Sequence, residues 1–147
     1  MAEIDEIKTV IKNSLEELNI AVIYDHLPHL STWDKVLQKA VKDNSLNLIM
    51  FTFSTRRSLT AEDNITLQAV RGWRVKYLMS VSEKSASEQV FDRNIEAVCK
   101  NLSELGGADY RIEIATPPEM LKPKEYTAVC GILCHLAELE FETINNT

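Results

Sequence analysis

The chain is poor in the residues that build tight loops and cross-links: its 147 residues include only four glycines, four prolines and three cysteines. It has no Walker loop, no G-x-G-x-x-G and no G-x-S-x-G, so the motifs of phosphate binding and of serine hydrolysis are missing. An odd number of cysteines without framework spacing is typical of reduced thiols rather than of a disulfide scaffold. No apolar run reaches the roughly 18 residues that a membrane-spanning helix needs.

Acidic residues outnumber basic ones by 22 to 16, which gives a net charge of −6. Proteins that bind nucleic acid stably usually have a basic face, and the two basic clusters, Arg56-Arg57 and residues 71–76, come without a nucleic-acid motif. Hydrophobic content of 45% and charged content of 26% are globular values. The first six residues are acidic and lack the regions of a signal peptide. We expect one cytosolic domain over residues 1–147, with no stable nucleic-acid binding and no membrane contact.

Hydrophobic periodicity predicts three helices. The first has a buried stripe of Ile4, Ile7, Ile11, Leu15 and Leu18. The second, capped by Ser31 or Thr32, has an apolar face of Trp33, Val36, Leu37, Ala40 and Val41. The third and longest opens at the capping box Ser85-x-x-Glu88 and stops at Gly106-Gly107. Its predicted stripe is Val90 or Phe91, Ile95, Val98, Leu102 and Leu105.

Apolar runs and alternations predict strands over residues 20–27, 46–53, 67–81, 110–114 and 127–144. Gly72 favours a β-bulge in the third of these. Residues 54–65 are polar and predict an exposed loop, and Pro117, Pro118 and Pro123 predict an irregular segment. The order α-β-α-β-β-α-β-β predicts an α+β fold, in which a mainly antiparallel sheet packs against two or three helices.

The last predicted strand has two contrasting faces, because side chains alternate along a strand. Ala137, Leu139 and Phe141 form an apolar row, which predicts a core face. The opposite row consists of the carboxylates Glu138, Glu140 and Glu142. Neighbours on that row are roughly 6.7 Å apart and repel one another weakly if the face stays in water. The pattern predicts one buried face and one strongly anionic, solvated face.

The sequence contains little evidence for a metal site or a catalytic site. In a strand, Cys130 and Cys134 are about 13 Å apart, too far to share one zinc ion, and Cys134 and His135 point to opposite faces. We interpret the cysteines as core thiols and interpret His26 and His29 as solvated loop residues. Trp73 shares a row with apolar residues, which favours core packing over a base-stacking platform. We therefore predict no catalytic residues, no cofactor, no metal site and no enzymatic activity.

Two segments are candidates for contacts between subunits. The charged stretch between residues 52 and 64 is long for a link between strands; it is either a mobile hairpin tip or an arm whose Arg56 and Arg57 meet acidic surface on a neighbour. Met120 and Leu121 are apolar residues in a proline-rich stretch. They either cap the core or lie in an interface.

The order of elements resembles that of the phage tail terminator (tail completion) family, over nearly the whole chain. The likeness begins with the amphipathic first helix, Val22-Ile23-Tyr24-Asp25, and an apolar strand with Leu46, Ile49, Phe51 and Phe53. It continues with a charged loop, Gly72-Trp73-Arg74-Val75, a long helix from near Ser85, and the closing segment Leu136-Ala137-Glu138-Leu139-Glu140-Phe141-Glu142. These features are an order of elements rather than a motif.

The resemblance implies a structural protein that forms a ring, expected to be a hexamer, at the end of a tail tube. Its partners would be other copies of itself, the tube, and head or neck proteins, and it would reside in the virion tail after assembly in the host cytoplasm. DNA would pass through the ring, and an acidic wall would minimise phosphate contacts. Glu138, Glu140 and Glu142 would then face the channel or its rim, or else bulk solvent.

Two other functions stay open from the residues alone. One is a monomeric or dimeric cytosolic module that binds a protein partner through the sheet and its loops. The other is a small enzyme whose site forms only at a subunit interface, which a pocket with converging polar groups would favour.

Overall fold

The computed structural model describes residues 3–26, 41–42, 45–60, 67–82, 86–108, 112–129 and 131–145. The helices of these segments are α1 (Glu3–Glu16), α2 (Ser87–Ser103) and the short α3 (Leu105–Ala108). The strands are β1 (Val22–Tyr24), β2 (Val41–Lys42), β3 (Ser45–Thr60), β4 (Leu67–Ser80), β5 (Ile112–Met120), β6 (Glu125–Val129) and β7 (Ile132–Asn145).

The strands form one mixed sheet in the order β1-β3-β4-β7-β5, with β2 paired to β3 and β6 paired to β7. β1 runs parallel to β3, and the other pairs are antiparallel. Strand accounts for 54% and helix for 30% of the described residues. The fold is therefore mainly β, and the prediction of an α+β domain with the order α-β-α-β-β-α-β-β was wrong.

The strand content is high because two segments expected to be irregular pair with their neighbours. Residues 54–60, expected in a loop, continue β3 opposite β4. β5 runs through Pro117 and Pro118 as far as Met120. Proline is tolerated there because β5 is the last strand in the sheet order, and its register shifts twice in this stretch. Of Pro117, Pro118 and Pro123, which were predicted to lie in an irregular segment, only Pro123 lies between strands.

The chain end forms a hairpin rather than the predicted single strand over residues 127–144. β6 and β7 pair with each other, with Val129 opposite Ile132. Gly131 in the connection has a φ of 77°, a left-handed conformation that glycine adopts without a steric penalty. The prediction of one strand over residues 127–144 was wrong, because the chain turns back at Gly131 and forms two paired strands.

The helix ends also differ from the prediction. α2 begins after Ala86, which has a left-handed φ of 49° and makes no side-chain cap hydrogen bond. The residue before the helix is therefore Ala86 and not the Ser85 of the predicted capping box, which was wrong. Ser85 itself lies outside the described residues. α2 ends at Ser103, whereas Gly106 and Gly107 lie within α3, so the predicted glycine stop was also wrong. The predicted second helix, capped by Ser31 or Thr32, lies outside the described residues except for Val41, which belongs to β2.

The helical stripes and the strand alternation are confirmed. α1 buries Ile7, Ile11 and Leu15, and α2 buries Phe91, Ile95, Val98 and Leu102. Both helices pack on one face of the sheet, where the buried strand residues are Ile49, Phe51, Trp73, Val75, Tyr77, Met79, Ala137, Leu139 and Phe141. A second, smaller apolar cluster lies on the opposite face and contains Leu46, Leu48, Met50, Leu78, Cys134 and Leu136.

Trp73 is completely buried at the centre of the larger core, as predicted. Its indole Nε1–H donates a hydrogen bond to Oγ1 of Thr143, at 3.0 Å, which satisfies the one polar group of the ring. No helix in the described residues is long and apolar enough to cross a membrane.

Candidate functional site

A paired extension of β3 and β4, which we call the arm, carries Arg56 and Arg57. It consists of residues 55–60 of β3 and 67–72 of β4, in continuous register. The register shifts where it begins, between Phe53 and Thr55, so the predicted bulge exists but lies on the strand facing Gly72. A Cβ at Gly72 would collide with the Thr55 hydroxyl, and only glycine allows this close approach. The arm is thus paired strand rather than the expected loop, and Val70, Arg71 and Gly72 in its β4 half also pair with β7.

The two arginines of the arm have different surroundings. Both are exposed. Arg57 Nε lies 3.3 Å from Glu142 Oε2 of β7 and donates a hydrogen bond to it. Arg56 reaches only Ser58 on its own strand, at 3.4 Å, among the described residues. Arg57 therefore helps fix the arm to its own subunit, while the charge of Arg56 stays available on the surface.

The acidic row of β7 is accompanied by bases from neighbouring strands. Glu138 lies 3.4 Å from Lys76, Glu140 lies opposite Arg74 in the register of β4 and β7, and Glu142 contacts Arg57. Only about a quarter of the Glu138 and Glu142 side chains is exposed (24% and 22%). The row is less anionic and less solvated than the sequence pattern predicted, because β3 and β4 place basic residues beside its members.

Glu142 is the most constrained carboxylate of the row. Thr116 Oγ1–H donates a hydrogen bond to its Oε1 at 2.6 Å, in addition to the contact from Arg57. The Thr116 hydrogen bond, and then Arg57, lower the pKa of Glu142, because both favour the charged form. This carboxylate therefore links three strands: β3, β7 and β5.

Met120 and Leu121, each 41% exposed, lie on different faces where β5 ends. Leu121 lines a small pocket of about 110 Å³ beside Met50, Lys76 and Glu138. Met120 lines an open cleft of about 660 Å³ between α2 and the β5–β6 connection. Neither side chain caps the larger core, so of the two predicted roles the geometry favours surface contact for both.

The cleft beside Met120, which we call the α2 cleft, combines an apolar floor with charged walls. Its lining comprises Asp92, Arg93, Ile95, Glu96, Met120, Pro123 and Lys124. Glu88, Asp92 and Glu96 follow one another at four-residue spacing on α2, so they share one helical face. Lys124 Nζ donates hydrogen bonds to Asp92, at 2.6 Å, and to Glu88, at 2.9 Å. These bonds raise the pKa of Lys124. The third carboxylate of this helical face, Glu96, makes no hydrogen bond to Lys124.

A buried serine–histidine pair lies at the start of α2. Ser87 Oγ and His135 Nε2 are 2.9 Å apart, and both residues line an open cleft of about 360 Å³. The imidazole lies between the rings of Phe91 and Tyr126, with centroid distances of 5.0 and 5.2 Å. Burial lowers the pKa of His135, which favours the neutral ring.

The Ser87–His135 distance is that of a nucleophile and its base, but the surroundings favour a structural role. The backbone N–H of Ser82 donates to Ser87 Oγ at 2.9 Å, and the two residues are only 6% and 3% exposed. The described residues place no carboxylate in hydrogen-bonding contact with the ring. Sequence reasoning missed this pair because its members are 48 positions apart and share no motif spacing.

The remaining candidate groups are isolated. Cys134 is buried, as predicted, and burial raises the pKa of its thiol to about 11. His26 is exposed and contacts Asp25 at 3.0 Å. Cys130 and His29 lie outside the described residues. Within the described segments, no group of three or more histidine, cysteine or acidic residues is arranged to hold a metal ion.

A scan against protein-family models finds no match, and a search of curated protein sequences finds none either.

Proposed function

We propose that this chain is a structural subunit of a closed ring of the phage tail terminator type, which caps the end of a tail tube and joins it to the head or neck. The proposal rests first on the order of elements in the sequence. The observation that supports it further is that two exposed patches of different chemistry lie on different strands of one sheet. One is the arm on β3 and β4; the other is the end of β5, where Met120 and Leu121 are exposed on different faces.

The sheet order favours a head-to-tail contact between copies. β3 and β5 are separated by β4 and β7, so a copy that contacts one edge leaves the other edge free for the next copy. Heterologous contacts of this kind close into rings when the rotation between copies is suitable. The basic arm and the apolar residues Met120 and Leu121 provide surfaces of unlike chemistry, as such a contact requires.

The charge of the subunit suits the passage of DNA in this proposal. Six subunits of net charge −6 would carry about −36 before compensation at interfaces, and an acidic wall offers phosphates few contacts. Glu138, Glu140 and Glu142 would line the channel or its rim. Because Lys76 and Arg57 pair with two of these carboxylates, the row itself would contribute only part of the repulsion.

The test is the solution mass measured by light scattering at low and high salt, followed by negative-stain imaging. We expect rings, with assembly weakened by salt because exposed charges are screened. A chain that remains a monomer or dimer at every concentration would contradict the proposal and favour a protein-binding module.

A further inference from the structure

We propose that the arm of one copy docks in the α2 cleft of the next copy, with Arg56 of one subunit facing Glu96 of its neighbour. This inference rests on the proposed function, since it names the contact that would close the ring. The partner that occupies the α2 cleft is then a second copy of this chain.

The arm has the properties of an inserted element. Its two strands pair continuously beyond the bulge, so it enters a contact already ordered and loses little conformational entropy. Thr55, Arg56, Arg57 and Ser58 are all exposed. Because Arg57 is held by Glu142 of its own chain, the arm keeps its direction while Arg56 remains available to a partner.

The α2 cleft has the complementary properties. Its volume of about 660 Å³ is within the range of sites that enclose a small ligand, and it accommodates several side chains. Ile95, Met120 and Pro123 provide apolar surface, on which the aliphatic part of an arginine packs while its guanidinium reaches a carboxylate. Glu96 is exposed and accepts no hydrogen bond from the described residues, whereas Lys124 already engages Asp92.

The positions of the two surfaces favour a second copy over the chain's own arm. The arm lies on the β3 side of the sheet and the cleft on the β5 side. Complementary surfaces on opposite edges of the same chain join successive copies in one direction, which is the arrangement that a ring needs.

A charge-swap experiment tests this contact by sedimentation velocity and negative-stain imaging of the full chain. Arg56→Glu and Glu96→Arg each place like charges together, and we expect association to weaken by about tenfold or more, since like-charge contacts at interfaces are costly. The double variant R56E/E96R restores the opposite charges, so rings should return. An equimolar mixture of the two single variants should also form rings, because alternating copies then match at every contact.

Lys100→Glu and Glu104→Arg are matched controls, because they make the same charge changes at exposed positions near the end of α2. Rings that persist in both single variants, or that are lost equally in the controls, would overturn the docking inference while leaving the ring proposal intact. A wild-type chain that never assembles would overturn both.

Discussion

Arg57 on β3 donates a hydrogen bond to Glu142 on β7 across the intervening strand β4, at 3.3 Å. The two residues are 85 positions apart. One belongs to the arm and the other to the acidic row, so this contact joins the two charged features that the sequence presents separately. It neutralises one member of the acidic row, while the pairing of β3 with β4 orders the arm.

Replacing Arg57 with alanine should raise the pKa of Glu142, because one of the two groups that favour its charged form is removed. The shift should be partial, since the hydrogen bond from Thr116 is the larger cause of the lowered pKa. The carboxyl carbon signal of Glu142, followed by NMR as the pH is lowered, measures it. Arg56→Ala is the matched control and should leave that titration unchanged.

The same pair should contribute less than about 1 kcal/mol to the free energy of unfolding, because Arg57 is 55% exposed. The pKa of Glu142 is lowered in the folded state, so its contribution is present above the unfolded carboxyl pKa and is lost as the pH falls through the folded value. Urea denaturation of wild type and Arg57→Ala at pH 7 and pH 3 should show a smaller difference at the lower pH.

Gly72→Ala should destabilise the protein by about 1–3 kcal/mol, the usual cost of an overpacked site. The added Cβ collides with the hydroxyl of Thr55, while the Thr55 Cβ lies at an ordinary 3.4 Å. The double variant Gly72→Ala/Thr55→Ala should therefore recover most of the lost stability in urea denaturation. No recovery would show that the backbone at the bulge, rather than the hydroxyl, requires glycine.

Ser87→Ala should cost about 1–3 kcal/mol, because it leaves the Ser82 N–H and the His135 ring without their partner in a buried setting. Thermal or urea unfolding measures this loss. The exposed residue Ser103, at the end of α2, also has a hydrogen-bonded hydroxyl and serves as the comparison: Ser103→Ala should cost less than 1 kcal/mol. Equal costs at the two sites would contradict the structural role of the Ser87–His135 pair.

The stability of the protein should fall as the pH drops below about 6.5, where an unperturbed histidine gains its proton. Burial lowers the pKa of folded His135; Glu88 and Asp92 oppose this shift, and Lys124 reinforces it. Since the unfolded chain then binds more protons than the folded chain, stability is present above the unfolded pKa and declines below it. His135→Gln should flatten the slope of unfolding free energy between pH 7.5 and pH 5.5, and an unchanged slope would contradict this assignment.

Much of the local structure could be predicted from the residues. The stripe Ile7, Ile11 and Leu15 and the stripe from Phe91 to Leu102 are buried as expected, because helical periodicity depends on near neighbours in the chain. The long strand β4, with buried Trp73, and the two faces of β7 follow from alternation in the same way. The full length of β3 and β5 could not be predicted from the sequence. Polar residues and prolines also occur in loops, and only the pairing of the strands shows that these residues belong to a sheet.

The candidate site was predictable only in part. Arg56, Arg57, Met120 and Leu121 were identified by their residue types, and all four lie on the surface of the structure. The sequence by itself determined which side chains share a face, since that depends on positions two to four residues apart. Only the tertiary structure decided which charges meet, how Ser87 reaches His135, and where the α2 cleft opens, because strand order and register bring together residues that are far apart in the chain.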